Sequence, residues 1–201
     1  MRPTSTLFTA LLFGPLLATC QSNLPPPSAG IFTAQASICI QAPIELAWTA
    51  LLDFASYPKW NPFARSMKVA NGLGVVLDDQ TPQENRRLWI QAQIPPLEPP
   101  VNENTPPNVL HSQVSFENIT TIDSTTRRAS WRAIMLPDIL LDAERWSALS
   151  VPNSSCTLYE SREVFGSLVS LLVDLSMAPG LQKGFEYQAA EYKRYVEGLA
   201  I

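Results

Sequence analysis

The spacing of apolar positions changes period several times along the chain. Residues 31–41 alternate loosely, with Phe32, Ile38 and Ile40 set among Gln35 and Ser37, and the pattern stops before Pro43, which predicts a strand. From Ala42 to Phe54 the spacing lengthens. Ile44, Ala47, Trp48, Leu51 and Leu52 recur at three and four, the stripe of a short amphipathic helix. Pro58 and Pro62 push the residues before them toward extended geometry, so 57–63 is expected to break that helix. Further strands are predicted over 65–70, 74–77, 86–94, 109–122, 127–135, 144–151 and 155–165. Turn-forming residues separate the later ones at Asp123–Thr126, Leu136–Asp138 and Pro152–Ser154. Residues 95–107 hold six prolines in thirteen and read as a loop. Leu168–Met177 is apolar and helical in pattern, set off by Pro179 and Gly180. Beyond it Leu181, Phe185, Ala189, Tyr192, Val196 and Leu199 mark one stripe of a long helix. One strand, short helices, about six strands and a long C-terminal helix make an α+β chain with an antiparallel sheet.

Composition narrows the chemistry. A chain of 201 residues with 46% hydrophobic content forms one domain with a core that needs no staple. Its net charge of −4 and the lack of a basic stripe argue against nucleic acid as a partner. A single histidine, His111, and three cysteines argue against His-rich and Cys-cluster metal sites. Eight glycines and no phosphate-cradling motif argue against nucleotide loops, so no cofactor or metal is expected.

The N-terminus reads as a targeting segment. Arg2, the apolar run Leu7–Leu17 and then Ala18, Thr19 and Cys20 describe a secretory signal over 1–20. At 11 residues the run is shorter than the roughly 20 that span a bilayer. Two alternatives stand beside it: a lipoprotein-like box ending at Cys20, in which Thr19 is out of place, and an uncleaved membrane anchor. Residues 21–30, with Pro25–Pro27 and Gly30, read as a linker, which leaves 31–201 as the folded domain. The expectation is a secreted or luminal protein with no stable membrane insertion once the signal is removed. Asn118-Ile-Thr120 and Asn153-Ser-Ser155 are candidate glycosylation sites. Cys39 and Cys156 would remain after cleavage, in a compartment that permits them to pair.

Ala42-Pro-Ile-Glu-Leu-Ala-Trp48, followed by Asp53-Phe-Ala-Ser-Tyr57-Pro-Lys-Trp60-Asn61-Pro62-Phe63, resembles the opening of the START-like superfamily. More narrowly it is similar to the polyketide cyclase/dehydrase and lipid-transport group. Arg127–Arg132, Asp142–Arg145, Glu163–Gly166, Gly184–Glu186 and Lys193 follow in that family's order, so the resemblance covers about residues 34–197. It implies a helix-grip fold: a strongly curved antiparallel sheet wrapped around the long C-terminal helix, with a deep apolar cavity between them. Arg145 departs from the family, where histidine is common at that position. In the helix-grip order the first and last strands are antiparallel neighbours, which implies that the Cα atoms of Cys39 and Cys156 lie about 4.4–6.8 Å apart, within disulfide reach.

Side chains alternate along a strand, so Tyr159, Ser161, Glu163 and Phe165 share one face, and an inward Phe165 turns the others inward. Arg145 and Ser147 share a face on the preceding strand, and Trp131 lies on the one before. Arg145 and Glu163 then meet either as a structural bridge or as a functional pair. The candidate catalytic residues are Glu163 or His111 as the proton-moving group and Arg145 as the oxyanion stabiliser. The candidate ligand-binding residues are Trp60, Asn61, Phe63, Trp131, Ser147, Tyr159, Ser161 and Phe185. Trp60 and Asn61 read equally as packing at the cavity mouth, and His111 as a surface or strand residue. The resemblance implies a cofactor-independent polyketide cyclase, exchanging an apolar or polyketide-like molecule with a biosynthetic partner enzyme. The alternative is a binding protein for a lipid or other apolar small molecule that does no chemistry.

Overall fold

A computed structural model describes residues 22–153 and 156–201 of the chain. The strands are β1 (Phe32–Ile40), β2 (Ala64–Ala70), β3 (Arg87–Gln93), β4 (Ser112–Asp123), β5 (Arg128–Ala133), β6 (Ala143–Asn153) and β7 (Cys156–Phe165). They form one antiparallel sheet in the order β1-β7-β6-β5-β4-β3-β2. Helices α1 (Ile44–Leu52) and α2 (Tyr57–Trp60) join β1 to β2, and α3 (Leu168–Leu199) follows β7. This is the helix-grip arrangement expected from the resemblance. Among the described residues no helix is long and apolar enough to cross a membrane.

The α3 stripe is buried as its spacing requires: Leu181, Phe185, Ala189, Tyr192 and Val196 are at most 5% exposed, whereas Leu199 lies at the frayed end and is exposed. Trp60 packs on the Tyr192 ring at 5.5 Å and stacks on Tyr195 at 5.6 Å, and Tyr159 meets Tyr192 at 4.8 Å. These aromatic contacts fix the C-terminal half of α3 to α2 and to β7. Nearer the cavity the helix comes close to Phe63. A β-carbon at Gly184 would fall 2.6 Å from that ring, so a glycine is required there.

Both edges of the sheet are closed by a glutamine amide. Gln182 accepts from the Gln35 N–H and donates to its carbonyl. Gln80 accepts from the Val69 N–H at 2.8 Å and donates to the Val69 carbonyl at 3.2 Å. Each amide does for an edge strand what a neighbouring strand would do. Cys39 and Cys156 form a disulfide with Cα atoms 5.7 Å apart, joining the end of β1 to the start of β7.

The fold corrects four local expectations. Pro58 does not break the chain into extended form. It sits in the first turn of α2, where its missing N–H has no intrahelical partner. Residues 74–77 are not a strand but part of a turn, built by Asn71 Oδ1 accepting from Leu73 N and Val75 N, with Gly74 at φ 81°. Pro179 does not split α3, because Met177 and Leu181 on either side both pack into the same apolar cluster. Residues 22–30, expected as a linker, lie against the sheet: Asn23 donates to the Leu149 carbonyl at 2.7 Å and Arg162 to the Pro25 carbonyl. The expected signal segment lies outside the described residues. At the first glycosylation triplet, Asn118 in the middle of β4 accepts from Arg87. The second glycosylation triplet extends into 154–155, also outside the described residues.

A disulfide closing so long a loop is expected to contribute about 2–4 kcal/mol. Replacing Cys39 and Cys156 together with serine should lower the urea-unfolding free energy by that amount. An unchanged midpoint and slope would show that the bond contributes nothing to stability.

Candidate functional site

The curl of the sheet leaves a cavity of about 200 Å³ between its concave face and the N-terminal half of α3. Phe63, Met67, Ile90, Leu141, Phe165 and Leu181 supply apolar walls. Polar groups enter from four directions: Arg145 from β6, Glu163 from β7, Ser115 and Glu117 from β4, and Gln188 from α3. An engineered apolar cavity of about 150 Å³ takes up benzene. By that measure this one holds a single ring with a short substituent, a smaller guest than an extended chain.

Arg145 and Glu163 are direct cross-strand partners, and both line the cavity, as the alternation of β6 and β7 predicts. They do not form the expected bridge: among the described residues no ion pair joins them. The Arg145 guanidinium lies 4.2 Å from the Phe185 ring centroid, with Phe63 and Trp131 at 5.7 and 5.8 Å. Its Nε donates to Ser161 Oγ at 3.2 Å, and Ser161 lies 3.2 Å from Ser147 Oγ and donates to the Trp146 carbonyl. Nη2 has no partner, although the residue is only 6% exposed. The serines and aromatic rings therefore hold the cation in place while leaving the two N–H groups of Nη2 free.

Glu117 is a buried, cavity-lining carboxyl that the sequence reading missed. It is 7% exposed, and its Oε1 accepts from Ser115 Oγ at 2.7 Å. Burial and the neighbouring Glu163 carboxylate push its carboxyl up to about 8, against the opposing pull of Ser115 and Arg145. Glu163 is raised as well, by burial, with Arg145 pulling it back. One guanidinium thus faces two buried carboxyls, which favours keeping one of the two protonated.

The remaining candidates divide. Phe63 and Trp131 line the cavity. Phe185, Ser147 and Ser161 stand behind it and support Arg145. Tyr159 receives a 3.5 Å contact from Gln188, whose Oε1 has no partner. Trp60 is core, with its Nε1 on Ser56 Oγ. Asn61 is fully buried and caps the turn after α2, its Oδ1 accepting from Phe63 N and Ala64 N at 2.9 Å. His111 is not at the site. It lies in the turn before β4, its ring 3.2 Å from Asn108 and its carbonyl accepting from Ile94 N. Among the described residues no group of three or more His, Cys, Asp or Glu side chains gathers as a metal site.

Because the folded state holds a proton on Glu117 that the unfolded chain loses near the ordinary carboxylate pKa of about 4.3, stability should fall as pH rises from there through about 8. Glu117→Gln cannot ionise and should flatten that fall in a series of thermal melts. Parallel pH profiles for variant and wild type would show that Glu117 is not held protonated.

No protein-family model and no curated protein matches the sequence. Solved structures match its fold. Ginseng major latex-like protein 151 from Panax ginseng superposes with TM-score 0.55 at 7% identity, covering 85% of this chain and 97% of its own. A point mutant of Thalictrum flavum norcoclaurine synthase, in complex with a transition-state analogue, gives 0.54 at 11%, covering 86% and 99%. A START superfamily protein from Mycobacterium smegmatis gives 0.50 at 15%, covering 84% and 96%. At these identities the likeness is one of fold, and the fold is the START-like helix-grip.

Proposed function

We propose that this protein is a cofactor-independent enzyme that closes a ring in a small polyketide-like molecule, by carbon–carbon bond formation or lactonisation. One observation carries the reading: the unpartnered Arg145 Nη2, buried beside Glu163, faces a largely apolar cavity of ring size. Such a group is placed to hold an oxygen on which negative charge develops, and Glu163 to take a proton from the adjacent carbon. The walls fold the substrate toward its reactive shape and keep water away. That the fold accommodates catalysis is supported by norcoclaurine synthase, solved with a transition-state analogue. Exposed Val109, Leu110 and Ile139, on the loops at the cavity end of the sheet, favour delivery of an apolar guest. A secretory location, supported by the Cys39–Cys156 bond, and exchange of the guest with a biosynthetic partner enzyme belong to the same proposal.

The second reading is a carrier of an apolar small molecule without chemistry, favoured by the largely apolar lining. Metabolite profiling of the source organism with and without the gene separates the two. Accumulation of an open precursor or its shunt product supports the enzyme, and a pool changed only in amount or location supports the carrier. With the substrate identified, Glu163→Gln should lower turnover about 100-fold or more while binding persists. Unchanged turnover would remove Glu163 from the mechanism.

A further inference from the structure

We propose that Glu117 is the proton donor of this site and that the substrate is a ring-sized ketone, enolised between Glu117 and Glu163 before the ring closes. The inference rests on the functional reading above and adds to it a residue and a substrate class. In the sheet β4 and β7 are separated by β5 and β6, yet the curl brings Glu117 and Glu163 onto the wall of one cavity. Glu117 has no ion-pair partner among the described residues. Ser115 occupies one of its oxygens, and the other makes no hydrogen bond among the described residues. The other titratable or charged groups on the wall are Glu163, Arg145 and Tyr57, and Tyr57 is engaged, donating its hydroxyl proton to the Leu51 carbonyl at 2.8 Å.

The protons balance without any co-reactant. Glu163 carboxylate takes a proton from the carbon beside the ketone, and that C–H electron pair becomes the enol double bond. The ketone oxygen, held by Arg145 Nη2, takes the proton of the Glu117 carboxylic acid. When the enol carbon attacks a second carbonyl of the same molecule, the new alkoxide takes the proton from Glu163 and the enol O–H returns its proton to Glu117. Before enolisation the cluster holds one guanidinium, one carboxylate and one carboxylic acid. Afterwards it holds the same set with the two acids exchanged. The net charge buried in the cavity is zero throughout, which avoids the large desolvation penalty of an isolated buried charge.

Cyclohexanone is a ring-sized ketone probe, and phenol resembles its enol. The test follows exchange of the α-protons of cyclohexanone in D₂O by proton NMR, with phenol binding measured by calorimetry on the same full-length protein. The wild type should bind phenol and catalyse exchange, with a rate above background that falls as pH rises through about 8. Glu117→Gln and Glu163→Gln should each lose about 100-fold or more of that rate and still bind phenol. Glu117→Asp, which keeps an acid, should retain more of the rate than the glutamine variant, and it carries the test if that variant does not fold. Exchange at the wild-type rate in Glu117→Gln, with loss in Glu163→Gln, overturns this proposal and leaves the ring-closing reading standing. A wild type that binds phenol without catalysing exchange overturns the proposal and, with it, carbon–carbon ring closure.

Discussion

The contact on which the site depends is that between α3 and the concave face of the sheet, tight at one end of the helix and loose at the other. Trp60, Tyr159, Tyr192 and Tyr195 fill the space beneath the C-terminal half. Nearer the middle of the helix Gly180 approaches Ile94 and Pro95, Gly184 approaches Phe63, and Met177 and Leu181 pack into the same apolar cluster, and the space left among them is the cavity. At its two edges a glutamine amide pairs one residue of each outer strand, Gln182 on β1 and Gln80 on β2, and the disulfide ties β1 to β7.

Within that space the electrostatics are arranged to keep Arg145 available. A buried ion pair with Glu163 would satisfy both groups and leave neither for a ligand. The guanidinium is instead fixed by Phe185 above it and Ser161 beside it, and Ser161 is held by Ser147 and the Trp146 carbonyl. Phe185 and the two serines act through Arg145, so their replacement would disturb the orientation of the cation. Two carboxyls facing one cation make protonation of one of them the low-energy state, and such a site offers an acid and a base together.

Much of this was legible in the sequence. The period-two alternation of β7, anchored by Phe165, turned Glu163 inward, and the same rule on β6 turned Arg145 and Ser147 inward. Glu117 was hidden because β4 misleads the same rule. Val114 and Phe116 alternate with Gln113, Ser115 and Glu117, and the apolar pair looks like the buried face. In the fold Val114 is exposed and Phe116 packs on Trp89 at 4.3 Å, on the outer side of β3 and β4. An irregularity between Ile119 and Thr121 then shifts the phase for the rest of the strand. Trp60 and Asn61 carried the family resemblance but serve packing and turn capping, because a motif that fixes a backbone corner is as recognisable as one that binds a ligand. His111 could not be placed from sequence, since no spacing connected it to another group.

The central claim is that one of the two cavity carboxyls stays protonated at neutral pH while the other is ionised beside Arg145. Carbon NMR of the side-chain carboxyls, assigned through Glu117→Gln and Glu163→Gln and followed through a pH titration, tests it directly. The account predicts one carboxyl carbon at its protonated shift at neutral pH, ionising only as the pH rises through about 8. Two carboxyls that both ionise in the ordinary carboxylate range would contradict it.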